Sequence, residues 1–258
     1  MSLFAGLSNE GLEQTEDRVG GGFKALETNI YTGKLKAAYA GASAGGARSV
    51  TLIFNHGGSS EYRETVYITN KAGQNWFHPK DKDGKRDTSK KVPLPGFTII
   101  DDLCLIITGK PLSEQDAEEK VVNVYDADAK KELPKAVPML IDLLDSEVSF
   151  AIQKSLENKS ELVGNDYVAT ADERETNNIV KVIHTESRMT VVEAREGKTE
   201  PEFWDAWLSR NEGKTQDKRT IKGGAGGSAG APKRAGAAGG APAAGGGTER
   251  KSLFGNKK

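Results

Sequence analysis

The 258 residues carry 36 Lys and Arg against 37 Asp and Glu, a formal net charge of -1 that hides a division of charge. Residues 219–258 hold eight basic residues and one acidic residue, whereas 1–218 hold 28 basic and 36 acidic. The single cysteine, Cys104, excludes an intramolecular disulfide and a thiolate zinc site. The histidines His56, His78 and His184 lack metal-ligand spacing, and no run approaches the roughly 18–20 apolar residues of a membrane span.

Residues 1–24 read as a weakly ordered arm ending in Gly20-Gly21-Gly22, without the basic and apolar regions of a secretory signal. A strand is predicted from Asn29 to Ala40. Period-two alternation puts Tyr31, Leu35 and Tyr39 on one face and Lys34 and Lys36 on the other. After the Gly-rich loop 41–46, Arg48 to Asn55 forms a second β-rich run. A Gly/Ser turn leads into Glu61–Asn70, where Tyr62, Glu64, Val66 and Ile68 oppose Arg63, Thr65, Tyr67 and Thr69. The three runs read as an antiparallel meander.

A polar loop follows, with Trp76 and Phe77 ahead of Lys80, Lys82, Lys85, Arg86 and Lys90. Pro93, Pro95 and Gly96 close it, and Asp101 or Asp102 is predicted to cap a short helix over Leu103 to Thr108. Glu118–Tyr125 reads as a strand, Asp126–Lys130 as a turn, and Pro138–Leu144 as a short helix or turn. Glu147–Leu156 reads as a long strand. Ile179–His184 and Met189–Ala194 are predicted to pair as a last hairpin. Glu200–Asn211 is predicted as an amphipathic helix packing Trp204 and Trp207 on the core. Residues 223–247 hold eleven Gly and nine Ala, too little apolar surface to offset ordering, so 219–258 reads as a disordered basic tail.

This order predicts a mostly β fold. It fits an OB-fold-like five-stranded antiparallel barrel over 25–218, with insertions, a short helix after strand 3 and a C-terminal helix. The pattern alone also permits another small antiparallel barrel or a sandwich.

Catalytic signatures are missing. GASAGGAR (41–48) lacks the Gly-Lys-Ser/Thr of a phosphate loop, and Asp81-Lys82-Asp83-Gly84 lacks the spacing of a calcium loop. Cys104 lies in an apolar run and reads as an inert buried thiol. Neither enzyme activity, cofactor nor metal is expected. Single-strand binding instead needs basic side chains along the backbone path and aromatic rings on which bases stack. Tyr31, Tyr39, Tyr67, Trp76 and Phe77 are the stacking candidates. Lys34, Lys36, Arg48, Arg63, Lys71, Lys80, Lys82, Lys85 and Arg86 are the phosphate candidates. In the tail, Leu253 and Phe254 with Lys257 and Lys258 form a candidate docking peptide, and Ser2-Leu3-Phe4 repeats its Ser-Leu-Phe.

The runs IYTGKLKAAYAGASAGGARSVTLIF (30–54), YRETVYITNKAGQNWF (62–77), VPLPGFTIIDDLCLIITGKPLSEQDAEEKVVNVYD (92–126), MTVVEAREGKTEPEFWDAWLSRNEGKTQDKR (189–219) and the terminal KSLFG (251–255) occur in this order. Together they resemble the single-stranded DNA-binding proteins of tailed podophages of the schitovirus type. The resemblance implies an OB-fold core that coats single-stranded DNA in phage replication and recombination, in the cytoplasm of the infected bacterium. It also implies a C-terminal tail that recruits phage replication proteins and host RNA polymerase. Many proteins of this function end in an acidic tail; this one is basic, so an acidic-tail mechanism does not carry over. The alternative is an interaction or transcription-coactivator protein that acts on a polymerase, with DNA binding secondary.

Overall fold

The computed structural model describes residues 25–57, 60–126, 129–164 and 166–221. Its elements run β1 (Asn29–Ala42), β2 (Arg48–His56), β3 (Ser60–Tyr67), β4 (Trp76–Phe77), β5 (Val92–Pro93), α1 (Pro95–Thr108), β6 (Glu118–Asp126) and β7 (Lys131–Met139). These are followed by β8 (Glu147–Val163), β9 (Asp166–Ile183), α2 (Val191–Arg195), α3 (Phe203–Asn211) and β10 (Gln216–Asp217). The arm 1–24 and the tail from 222 onward lie outside the described residues. Residues 219–221, read from sequence as tail, are held on β8: Asn158 Oδ1 accepts from the backbone N–H groups of Thr220 and Ile221.

The main sheet path is β3-β2-β1-β8-β9, antiparallel at every step. The sheet is open rather than a closed barrel, because no backbone ladder joins β3 to β9 among the described residues. Helix α1 packs against both strands. The Glu64 side chain also crosses between them: its Oε2 accepts from Ile179 N at 2.8 Å and from Tyr62 Oη at 2.6 Å. Burial pushes the Glu64 carboxyl above its ordinary range, against the opposing effect of these two donors.

One apolar core lies between the sheet and α1. Phe54 stacks on Phe150 with ring centroids 4.3 Å apart, and Leu35, Leu52, Ile100, Leu103 and Cys104 surround the pair. Burial pushes the Cys104 thiol up to about 12, consistent with an inert packing role. A second cluster lies on the opposite face of β1 and β2, where Ala37, Tyr39 and Ile53 pack beneath Val137 and Met139 of β7.

The two clusters correct the expected facing of β1. A register shift between Leu35 and Ala37 inserts a residue, and an extra residue reverses every later side chain. Tyr31 and Leu35 therefore face the first core, while Tyr39 faces the second. The shift falls where β1 exchanges partners, from β8 (paired with Asn29–Lys34) to β7 (paired at Tyr39).

Three further expectations are corrected. The helix after β3 starts at Pro95, not near Leu103. Pro occupies its first turn, Leu94 is the N-cap, and Asp101 and Asp102 lie inside it. Asp102 is buried and paired with Lys181 at 2.8 Å, and Gly109 ends the helix at φ 73°. Residues 189–194 form no strand. Thr190 and Glu193 make a reciprocal capping box that starts α2. Glu193 Oε1 then accepts from the N–H groups of Glu202 and Phe203 at the start of α3. Finally, no residue of α3 is fully buried: Trp204 and Trp207 are half-buried and join neither core cluster. Arg188 lies 5.1 Å from the Trp204 ring.

Candidate nucleic-acid interface

Edge strand β3 presents the alternation read from its sequence. Tyr62 and Val66 are buried, while Arg63, Thr65 and Tyr67 are exposed. Tyr67 is half open to solvent, at 51 %. At its end the chain makes a tight loop in which Asn70 Oδ1 accepts from Ala72 N and Gln74 N. It then runs out and back through the short β4–β5 ladder, which pairs Trp76 with Pro93 and Phe77 with Val92. The excursion is anchored at its root. Leu94 N donates to Asn75 O at 2.8 Å. Two residues on, Gly96 packs so tightly that a Cβ there would lie 2.2 Å from Tyr67 O. Tyr67 and the base of the excursion are thus one local unit.

Segment 71–91 carries seven basic residues and three acidic ones in a body that is otherwise acidic. Two of its three carboxylates are turned onto its own backbone. Asp81 Oδ1 accepts from Asp83 N and Lys85 N, and Asp87 Oδ1 accepts from Ser89 N. The Ser89 and Lys90 contacts hold the Asp87 carboxyl below its usual range. Lys71, Lys80, Lys82, Lys85 and Arg86 form no ion pair with any described residue, so their charge is directed to solvent. Lys71 lies along the β1–β2 loop, where a Cβ at Gly45 would meet its side chain at 3.3 Å.

Two residues absent from the sequence-based candidates belong here. Lys91 places its ammonium 4.3 Å from the centre of the Trp76 ring, a cation–π contact. His78 meets the same ring edge-on at 4.9 Å, and its Nδ1 lies 2.7 Å from Lys90 O. One face of the indole is therefore occupied, whereas the Phe77 ring is 41 % exposed. The two-residue ladder that brings Lys91 back to Trp76 is too short to show as a periodic pattern.

The remaining candidates fall elsewhere. Tyr31, Lys34 and Lys36 lie toward the β2–β3 turn, where Lys34 pairs with Asn55 in the ladder. The stretch from Glu61 to Tyr67 is about 20 Å of strand. Tyr31 packs edge-on against His56 and donates its hydroxyl to Glu27 O, and Lys36 pairs with Glu61 at 3.4 Å. Tyr39 is only 6 % exposed under the β6–β7 hairpin and offers no ring to a base. Arg63 is on the outward face, but Glu132 of β7 holds it at 3.0 Å. The hairpin thus covers the outer face of β2 and engages β3, leaving the Tyr67 end open. Arg48 is exposed at that open end, its backbone bonded to Ile68 N and Thr69 Oγ1. Leu253, Phe254, Lys257 and Lys258 lie outside the described residues.

No three His, Cys, Asp or Glu side chains gather into a metal-sized cluster among the described residues. No described helix is long and apolar enough to cross a membrane. No family model, no curated protein and no solved structure matches this chain.

Proposed function

We propose that this protein is a non-catalytic single-stranded DNA-binding protein that holds the strand at the Tyr67 end of its sheet. The observation that carries the reading is segment 71–91. It gathers five cations that pair with no described carboxylate, beside exposed aromatic rings, in a body whose net charge is otherwise negative. Tyr67 and Phe77 offer rings for base stacking. Lys71, Lys80, Lys82, Lys85 and Arg86, with Arg48 and Lys91 beside them, offer charge to phosphates. A chain with acidic residues elsewhere repels a polyanion at long range, so binding depends on this local basic surface.

The strand order supports an OB type. Three meander strands are followed by a helix, then β8 returns beside β1 with β9 on its far side, as in a partly open five-stranded barrel with an inserted β6–β7 hairpin. In that arrangement nucleic acid occupies the face of strands two and three. Here the hairpin takes part of that face, which moves the strand path to β3 and the excursion. On the schitovirus-type resemblance, the activity proposed is in phage replication and recombination, within the infected cell.

Titration of the full chain with oligo(dT) at low and high salt, followed by tryptophan fluorescence, tests the reading. Salt-sensitive quenching is expected, because Trp76 reports on the excursion. Absence of binding at low salt would refute it.

A further inference from the structure

Strands β8 and β9 run on past the sheet as a two-stranded arm. At its tip, Leu162, Val163, Tyr167 and Val168 are 60 %, 61 %, 75 % and 49 % exposed. Leu162 pairs directly with Tyr167, so the two side chains share a face. Exposed apolar side chains gathered at one place mark an interaction surface. Segment 160–169 also contains two acidic residues, Glu161 and Asp166, and no basic one.

The described chain ends at the foot of this arm. Asn158 accepts from Thr220 N at 2.8 Å and Ile221 N at 2.9 Å, and its Nδ2 donates to Ile221 O at 2.9 Å. Arg219 pairs with Glu173 across the same foot. Beyond that point the sequence ends in Arg250-Lys251-Ser252-Leu253-Phe254-Gly255-Asn256-Lys257-Lys258. This segment has four basic residues, no acidic one, and an apolar pair at its centre. Its charge is opposite in sign to that of the tip sequence, which carries acidic residues and no cation over 160–169.

We propose that Leu253 and Phe254, with their flanking cations, dock onto the tip of the β8–β9 arm of the same chain. The reach is sufficient. From Asn158 to Leu162 is about 13 Å of strand, and the residues between Ile221 and Leu253 can extend to about 100 Å. Tethering at the arm's foot raises the effective concentration of the segment to the millimolar range, enough to sustain a small contact. A tail from a second copy must compete with one already anchored there. The inference does not rest on DNA binding, and a protein partner of the terminal segment would have to displace it from the arm.

The test uses the full chain with Asn256→Cys carrying a nitroxide spin label. Cys104 is fully buried and stays unlabelled in the folded protein. At low salt the backbone amide signals of 160–169 lose about half or more of their intensity, because the tethered segment is docked most of the time. The loss is reversed at about 1 M salt, by Leu253→Ser with Phe254→Ser, and by Leu162→Ser with Tyr167→Ser. Full intensity at 160–169, or broadening centred on another surface, would overturn the proposal. So would broadening that survives the Leu253 and Phe254 changes. Equal broadening of an isotope-labelled unmodified chain mixed with a spin-labelled chain would assign the contact to a second copy and overturn it as well.

Discussion

Neutralising Lys82, Lys85 and Arg86 together to Ala removes three cations that no described carboxylate pairs. If each neutralises one phosphate, the slope of log K against log salt becomes less negative by about 2, since each phosphate on a single strand contributes about 0.7. Over about a fourfold rise in salt, the parent then loses roughly 20 times more affinity than the variant. Tail cations contribute equally to both proteins and cancel in the difference. The assay is oligo(dT) titration of both full-length chains at several salt concentrations, followed by fluorescence. Lys34→Ala with Lys36→Ala is the matched control. Those side chains lie toward the other end of β3, and Lys36 already pairs with Glu61, so the slope stays at the parent value. An unchanged slope in the triple variant would refute the reasoning, as would an equal change in the control.

Tyr67→Ala should weaken oligonucleotide affinity by about 1–3 kcal/mol, the contribution of one stacked base, and leave the thermal midpoint unchanged because the ring is exposed. Tyr39→Ala should do the reverse, costing about 2–4 kcal/mol in denaturant unfolding while the folded fraction binds as the parent does. Glu64→Ala should cost about 1–3 kcal/mol by leaving Ile179 N and Tyr62 Oη without their acceptor. Glu64→Gln keeps an acceptor and should be tolerated. Because the folded carboxyl titrates above its unfolded value, its stabilising protonation is complete below the ordinary carboxyl range and is lost as pH rises through the raised value. Urea unfolding across that window should show a fall in stability with rising pH that the Gln variant lacks.

The parts of the fold legible in the sequence were those with a clean period. In β3 the alternation of Tyr62, Glu64 and Val66 with Arg63, Thr65 and Tyr67 specifies both faces, and the structure keeps them. In β1 the same rule misplaced Tyr39, because the irregularity after Leu35 reverses alternation and leaves no mark in composition. Two signals were present but outweighed. Pro95 marks a helix start, and Thr190 with Glu193 marks a capping box, yet apolar content drew the helix to Leu103 and a strand to 189–194. The early part of β9 has no core-facing alternation to read, because from Tyr167 to Arg174 its side chains are exposed or half-exposed along the arm.

The candidate site divides on similar grounds. Trp76, Phe77 and the following cations share one excursion because it is a short-range structure, contiguous in sequence. What sequence could not show was coverage. The β6–β7 hairpin, with Pro134 and Pro138 in its second strand, buries Tyr39 and ties Arg63 to Glu132, contacts between residues about 70–100 positions apart. It leaves one end of the sheet open, and that end carries Tyr67.

The central claim is a location, and photocrosslinking tests it directly. The full chain bound to 4-thiothymidine-substituted oligo(dT) at low salt is irradiated, digested and mapped by mass spectrometry. Crosslinks should concentrate at Tyr67 and in 71–91, with Tyr67 and Phe77 the strongest sites. Crosslinks centred on Tyr31 or the β2–β3 turn, or spread evenly over the surface, would contradict it.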